Sequence, residues 1–314
     1  MAKNLIYQYW KVADGSRLGT HGNELPYTER VCIPLVKKYA ERIGADYRFD
    51  ADPSFAIASD KWSTWVSKYY NCFEPCFNPE VYQDYDNILY VDCDIGIPFF
   101  INDNIFEDQG QYFDIAICRE REQEWTRRKQ SIDGLSKEYN RFRANTPDSL
   151  REVHYYSDEK WIELVEKALN TKIRRNEHGL KKLYNSGVVL YTQHGMQKAR
   201  DKWLPFEEYL DIVEPMRPTD YYLADQEYLN AMIHKSDMVV QEMSEDWNAR
   251  VCNYGPLYDC RTPTSKFIHV QVEMGCQKCQ EQKMRTILSE QRPYDPWRDL
   301  KVLLPIMGLT EHET

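Results

Sequence analysis

Long apolar runs are missing from this chain. None of its 314 residues falls in a stretch of about 18 uninterrupted apolar residues, so no membrane-spanning helix is expected. No apolar leader is evident either. Met1-Ala2-Lys3-Asn4 runs directly into an expected strand, which predicts no signal peptide. A basic excess is lacking: 40 Lys and Arg stand against 50 Asp and Glu, a formal charge of -10. Broad nucleic-acid binding needs a basic face, so no nucleic-acid partner is expected. The glycine-containing loop from Asp14 to Pro26 has no G-x-G-x-x-G spacing, which argues against a dinucleotide site of that type. Internal repeats and low-complexity tracts are absent. The nine cysteines are odd in number and scattered, in a chain too large to need disulfide staples. Reduced thiols in a cytoplasmic setting are the simplest expectation. Cys252, Cys260, Cys276 and Cys279 do not read as a zinc site, because the first pair has irregular spacing.

What remains is an ordinary globular composition, 42% hydrophobic and 29% charged, with enough chain to bury a large core. The informative stretch is Asn87 to Pro98. Ile88, Leu89, Tyr90 and Val91 form a short apolar run, as in a strand buried on both faces of a mostly parallel sheet. Asp92 and Asp94 stand at its carboxyl end, where ligands bind in open α/β sheets. Two carboxylates at that spacing repel and are costly to bury unpaired. A hard divalent cation, Mn²⁺ or Mg²⁺, relieves both problems and leaves positions open for phosphates. Asp-x-Asp also serves as nucleophile and acid/base in haloacid dehalogenase phosphotransferases. That pattern wants Thr or Val where Gly96 stands.

Around this strand the sequence alternates. Leu5 to Trp10 and Asp46 to Asp50 read as strands. Between them Val31, Leu35, Tyr39, Ala40 and Ile43 keep a helical period closed by Gly44. Tyr7 and Tyr9 offer flat faces for a nucleobase or for the core. Trp62, Trp65, Val66, Tyr69, Tyr70 and Phe73 predict an amphipathic helix with Lys68 off the stripe. Asp114 to Cys118 is a further strand. Residues 119–182 carry 16 Lys and Arg against 12 Asp and Glu and read as a mostly helical insertion, with Ser157 as an N-cap. Asn185-Ser186-Gly187 reads as a turn into a strand ending at Thr192, followed by a helix to about Val213. Asp225 to Ile233 is helical, Met238 to Gln241 is a short strand, and Phe267 to Val270 is the last strand, carrying His269.

With Asp92-Cys93-Asp94, Asn185-Ser186-Gly187, Asp225-Gln226 and His269 in this order, the chain resembles the retaining GT-A enzymes of glycosyltransferase family 8, the glycogenin and lipooligosaccharide galactosyltransferase type. The family's apolar-run-Asp-x-Asp, Phe-Asn-x-Gly and Asp-Gln-acid-x-Leu-Asn stretches are matched by Leu89 to Asp94, Tyr184 to Val188 and Asp225 to Asn230. The family's His-x-x-Gly-x-x-Lys-Pro-Trp ending differs here: three residues are added between His269 and Gly275, and Pro-Trp is absent.

The resemblance implies an α/β, Rossmann-like GT-A fold over residues 1–280, with 119–182 inserted and 281–314 packing back as a tail. It implies a Mn²⁺- or Mg²⁺-dependent hexosyltransferase that uses a nucleotide-sugar donor, a UDP-sugar, with retention. The acceptor would be a glycan, a protein or a lipid-linked sugar. Asp92, Asp94 and His269 would hold the metal. Asp92 also contacts the ribose, and Lys68 and Lys278 the phosphates. Asn185 and Asp225 would hold the sugar, and Gln226 would lie under the anomeric carbon. The alternatives are a metal-dependent phosphatase or nucleotidyltransferase, and an inactive sugar-binding module.

Overall fold

The computed structural model describes residues 2–10, 27–51, 55, 70–110, 112–119, 162–175, 182–216, 225–252 and 264–271. Lys68, Lys278, Ser157, the aromatic helix before Tyr70 and the tail 281–314 lie outside them, as do Cys260, Cys276 and Cys279.

A six-stranded sheet forms the centre. Its strands are β1 (Asn4–Tyr9), β2 (Asp46–Asp50), β3 (Asn87–Val91), β5 (Ile115–Arg119), β6 (Tyr184–Thr192) and β7 (Val240–Glu242), in the order β2-β1-β3-β6-β5-β7. Strands β2, β1 and β3 pair in parallel, β5 pairs in parallel with β7, and β6 runs against both of its neighbours. The sheet is therefore mostly parallel with one reversed strand in its middle.

Alternation along the strands decides the layering, because successive side chains leave a strand on opposite faces. Leu5, Tyr7, Ile88, Tyr90, Val189 and Tyr191 belong to one apolar cluster; Ile6, Leu89, Val91, Val188 and Leu190 belong to a second. Helix α1 (Tyr27–Ile43) covers the second face with Val36, Tyr39 and Ala40, and ends at Gly44, whose φ of 70° suits a residue without Cβ. The first face is covered by α2 (Glu74–Phe77), α4 (Gln193–Lys202), α5 (Phe206–Val213) and α6 (Asp225–Lys235), after the short α3 (Pro79–Tyr82). Phe73, Trp203, Phe206 and Tyr228 interlock beneath them, with Phe73 and Phe206 ring centroids 4.9 and 4.6 Å from that of Tyr228. Helices thus flank both faces of the sheet, the α/β arrangement expected from sequence.

Three local expectations are corrected. Asn185-Ser186-Gly187 are not a turn: they lie inside β6, where cross-strand pairing continues through Val91 and Val188 and the Asp92 N–H donates to the Gly187 carbonyl at 2.8 Å. The helix expected up to Val213 is two helices, broken at Trp203-Leu204-Pro205, where proline lacks the N–H that a continuous helix requires. The aromatic stripe ends in a 3₁₀ turn, Asn71–Phe73, before Glu74 and Pro75 open the next helix.

Within the charged insertion, residues 162–168 are helical, and Ile162, Val165 and Leu169 join the first cluster. The downstream chain is tied in by His234. Its Nδ1 accepts the Arg174 N–H at 3.4 Å, and its Nε2 donates to the Lys182 carbonyl at 2.8 Å. Only a neutral imidazole makes both bonds, since a protonated Nδ1 would oppose the Arg174 N–H. Burial lowers the His234 pKa from its usual 6.5 to about 4. A histidine with a depressed folded-state pKa lends stability that is complete above 6.5 and is lost as pH falls through about 4. Denaturant midpoints measured across this window should decline with a slope of about one proton in the native sequence. His234→Leu should be less stable near neutral pH, where it lacks both hydrogen bonds, and should lose that slope. Equal slopes in both proteins would remove His234 from this role.

Candidate metal and donor site

The reversed strand brings the site together. Asp92 and Asp94 follow the carboxyl end of β3. Because β6 runs antiparallel to β3, its first residues, Asn185 to Gly187, arrive at that same end. A second sheet of three strands completes the cleft: β4 (Ile95–Gly96), β9 (Ile268–Gln271) and β8 (Ala249–Cys252), paired in that order. Ile95 pairs with His269, so the strand immediately after Asp94 carries the imidazole to the carboxylates.

The His269 Nε2 lies 3.2 Å from Asp94 Oδ1 and 3.7 Å from Asp92 Oδ2. One ligand atom from each of the three residues falls within 4.8 Å of the others; among the described residues this is the group of His, Cys, Asp and Glu side chains able to hold a metal ion. Two carboxylates and an imidazole form a donor set suited to Mn²⁺. The electrostatics fit as well. The Asp92 carboxyl is pushed up to about 7, first by burial and then by Asp94, while His269 opposes the rise. A cation beside Asp92 would favour its charged form, against the burial and the neighbouring carboxylate that oppose it. The Tyr90 hydroxyl holds Asp92 Oδ1 at 2.6 Å, and the Gln8 amide, itself bonded by Tyr47, holds the Asp92 carbonyl.

Beside this triad stands a row of carboxamides. The Asn185 Oδ1 accepts from Gly187 N–H at 3.0 Å and from Asn248 Nδ2 at 2.8 Å. The Asn185 Nδ2 donates to Gln226 Oε1 at 3.0 Å, and Ser186 N–H donates to the same oxygen at 3.3 Å. The Asn248 Oδ1 meets His269 Nδ1 at 3.0 Å. Asp225 opens α6 next to Gln226, bonded by the Ser186 hydroxyl and by the Cys72 thiol at 3.7 Å. Burial raises its pKa while these bonds hold it down, and its charge adds to the rise at Asp92.

The structure therefore gathers Asp92, Asp94, His269, Asn185, Asp225 and Gln226, which are spread over most of the sequence. It does not gather Tyr7 with them as a base platform. Tyr7 is fully buried in the first cluster and donates its hydroxyl to Glu74 at 3.0 Å, so no ring face is open to a nucleobase. Tyr9 stays half-buried against Tyr90, with ring centroids 5.8 Å apart, near Asp92 and Asp225. Asn248 was not foreseen. It sits just before β8 in no motif, and no local signal marks it.

Fold and site together define an α/β domain with a carboxylate–imidazole cleft able to hold a metal ion and an adjoining carboxamide shelf. No family model matches the chain, and no curated protein matches its sequence. Solved structures to which it is similar include mouse xyloside xylosyltransferase 1 in its apo form, at 12% identity over 86% of this chain and 97% of that one, with a TM-score of 0.41. Apo WbbM, a bifunctional glycosyltransferase, aligns at 11% identity over 87% of this chain and 46% of that one, with a TM-score of 0.45. The galactosyltransferase LgtC, in complex with donor and acceptor sugar analogs, aligns at 11% identity over 85% and 86%, with a TM-score of 0.40.

Gly187 offers a direct check on the geometry. A Cβ there would come 2.5 Å from His269 Cε1 and 2.7 Å from Nδ1, closer than van der Waals contact permits. Gly187→Ala should displace the imidazole, cost about 1–3 kcal/mol of stability by overpacking, and weaken Mn²⁺ binding. Denaturation and calorimetric titration measure the two effects. Unchanged Mn²⁺ affinity would mean that His269 does not need its present position to serve a metal.

Proposed function

We propose that this protein is a metal-dependent glycosyltransferase that moves a sugar from a nucleotide donor, a UDP-sugar, to an acceptor hydroxyl with retention. The observation that carries this reading is the convergence of Asp92, Asp94 and His269 beside Asn185, Asp225 and Gln226 at one end of the sheet. The first group is suited to a cation carrying a diphosphate. The second is a hydrogen-bonding shelf joined to the first through Asn248 and His269, and is suited to sugar hydroxyls.

When bound, Mn²⁺ or Mg²⁺ supplies electrostatic stabilisation of the departing diphosphate. Asp92, Asp94 and His269 would hold that ion, and Asp92 would also contact the ribose. Lys68 and Lys278 are assigned to the phosphates. Asp225 and Asn185 orient the sugar hydroxyls. Gln226 Oε1 already accepts two hydrogen bonds, so its lone pairs are committed and it is a poor nucleophile. This favours attack by the acceptor on the face that the leaving group vacates, with the diphosphate receiving the acceptor's proton. The catalytic domain is assigned to 1–280 with 119–182 as its insertion, and the acceptor to a glycan, a protein or a lipid-linked sugar. Five of the cysteines are buried thiols, which fits a reducing, cytoplasmic setting. Among the described residues no helix is long and apolar enough to cross a membrane.

The test is incubation with a panel of nucleotide sugars. Release of free sugar and nucleoside diphosphate, abolished by chelator and restored by Mn²⁺, is expected. Asp94→Asn should lower turnover by orders of magnitude while the thermal transition is kept. Phosphate or pyrophosphate release would point instead to a phosphatase or nucleotidyltransferase, and binding without turnover to a sugar-binding module.

Asp225→Asn separates the two halves of the site. Turnover should fall by orders of magnitude, with nucleoside diphosphate affinity nearly unchanged. An equal loss of diphosphate affinity would place Asp225 at the phosphates or in the fold.

A further inference from the structure

The carboxamide row has one possible polarity, and its source is the main chain of β6. A backbone N–H can only donate. Gly187 N–H points at one end of the Asn185 amide at 3.0 Å, so that end is the oxygen. The other end of Asn185 is then its NH₂, and it meets Gln226 at an atom that also accepts from Ser186 N–H. Gln226 therefore turns its oxygen inward. Two main-chain donors anchor the same assignment from two sides.

The consequence passes to the metal cleft. Asn248 meets the Asn185 oxygen at 2.8 Å, so the Asn248 end facing it is the NH₂. Reversing Asn248 would set two oxygens against each other at that distance. Its own oxygen must then face His269 Nδ1, 3.0 Å away. An acceptor there requires hydrogen on Nδ1. The lone pair of a neutral imidazole is left on Nε2, the nitrogen 3.2 Å from Asp94. Asn185, Asn248 and His269 are all at most 5% exposed, so water does not readily substitute for these contacts.

We propose that Asn248 is a positioning residue that fixes His269 in the Nδ1–H tautomer, with Nε2 presented to a divalent cation, by relaying the donor polarity of the Ser186–Gly187 main chain through Asn185. Its functional meaning rests on the metal-site reading above; the tautomer itself does not. The same relay engages Gln226 Oε1 with Asn185 and Ser186, which leaves its NH₂, a donor, as the other end of the amide. It also joins the sugar shelf to the metal cleft through side chains that cannot flip independently.

Two measurements decide it. The first uses the unaltered, metal-free protein: ¹⁵N-resolved NMR of His269 in alkaline buffer should show a protonated Nδ1 and an unprotonated Nε2. The reverse pattern overturns the proposal. The second measures the affinity of Mn²⁺ alone, by calorimetry or by electron paramagnetic resonance of the ion. Asn248→Leu offers Nδ1 no acceptor and should lose about 10–100-fold in affinity, the range for removing an outer partner of a metal-bound histidine. Asn248→Asp keeps an acceptor toward Nδ1 but sets an oxygen against the Asn185 oxygen, and should lose affinity by an amount between those of the native and leucine proteins. Unchanged Mn²⁺ affinity in a folded Asn248→Leu overturns the positioning role. If Asn248→Leu does not fold, the native tautomer decides. If the native protein does not bind Mn²⁺, the metal-site reading fails, and the tautomer still decides this inference on its own.

Discussion

Repulsion between Asp92 and Asp94 is the constraint around which the cleft is arranged. Two carboxylates leave one buried strand two residues apart, and burial together with the neighbouring Asp94 makes the charge on Asp92 expensive. The fold answers with an imidazole from a separate small sheet, a tyrosine hydroxyl on Asp92 and a main-chain bond from Asp92 to Gly187. None of these removes the charge. They hold it in one geometry, which is what a cation site needs before the cation arrives.

The reversed strand β6 links that constraint to the remainder of the site. A parallel strand beside β3 would send its own carboxyl end to the cleft. The antiparallel β6 sends its beginning, Asn185-Ser186-Gly187, and with it two N–H groups that order the carboxamides. Gly187 also leaves the room in which His269 stands. One stretch of strand thus sets the position of the imidazole by steric space and its tautomer by hydrogen bonding. Both effects act within a few ångströms, and both depend on β6 being strand and not turn.

The apolar layers explain why this arrangement holds its shape. Strands β1, β3 and β6 are buried on both faces, and their alternate residues divide between two clusters. A shift of register by one residue would exchange those clusters and move Asp92 away from the cleft. Aromatic packing of Phe73, Trp203, Phe206 and Tyr228 seats α6 against the sheet, which fixes Asp225 and Gln226 relative to β6.

Local pattern in the sequence determined the strands β1, β2 and β3, the helix closed by Gly44, and the candidacy of Asp92, Asp94, Asn185, Asp225, Gln226 and His269. Each rests on short-range chemistry: an apolar run, a helical period, a glycine cap, two acids at a strand end. Tertiary structure decided the rest. The Asn-Ser-Gly stretch has turn composition, yet pairing with β3 made it strand. Tyr7 has a face fit for a base, yet packing sealed it. Pro205 divided a helix that periodicity alone would continue. Asn248 belongs to no motif, and its meaning comes from neighbours 63 and 21 residues away, Asn185 and His269. A donor or acceptor gains its role from what faces it across the fold, and that partner is not written in the residues beside it.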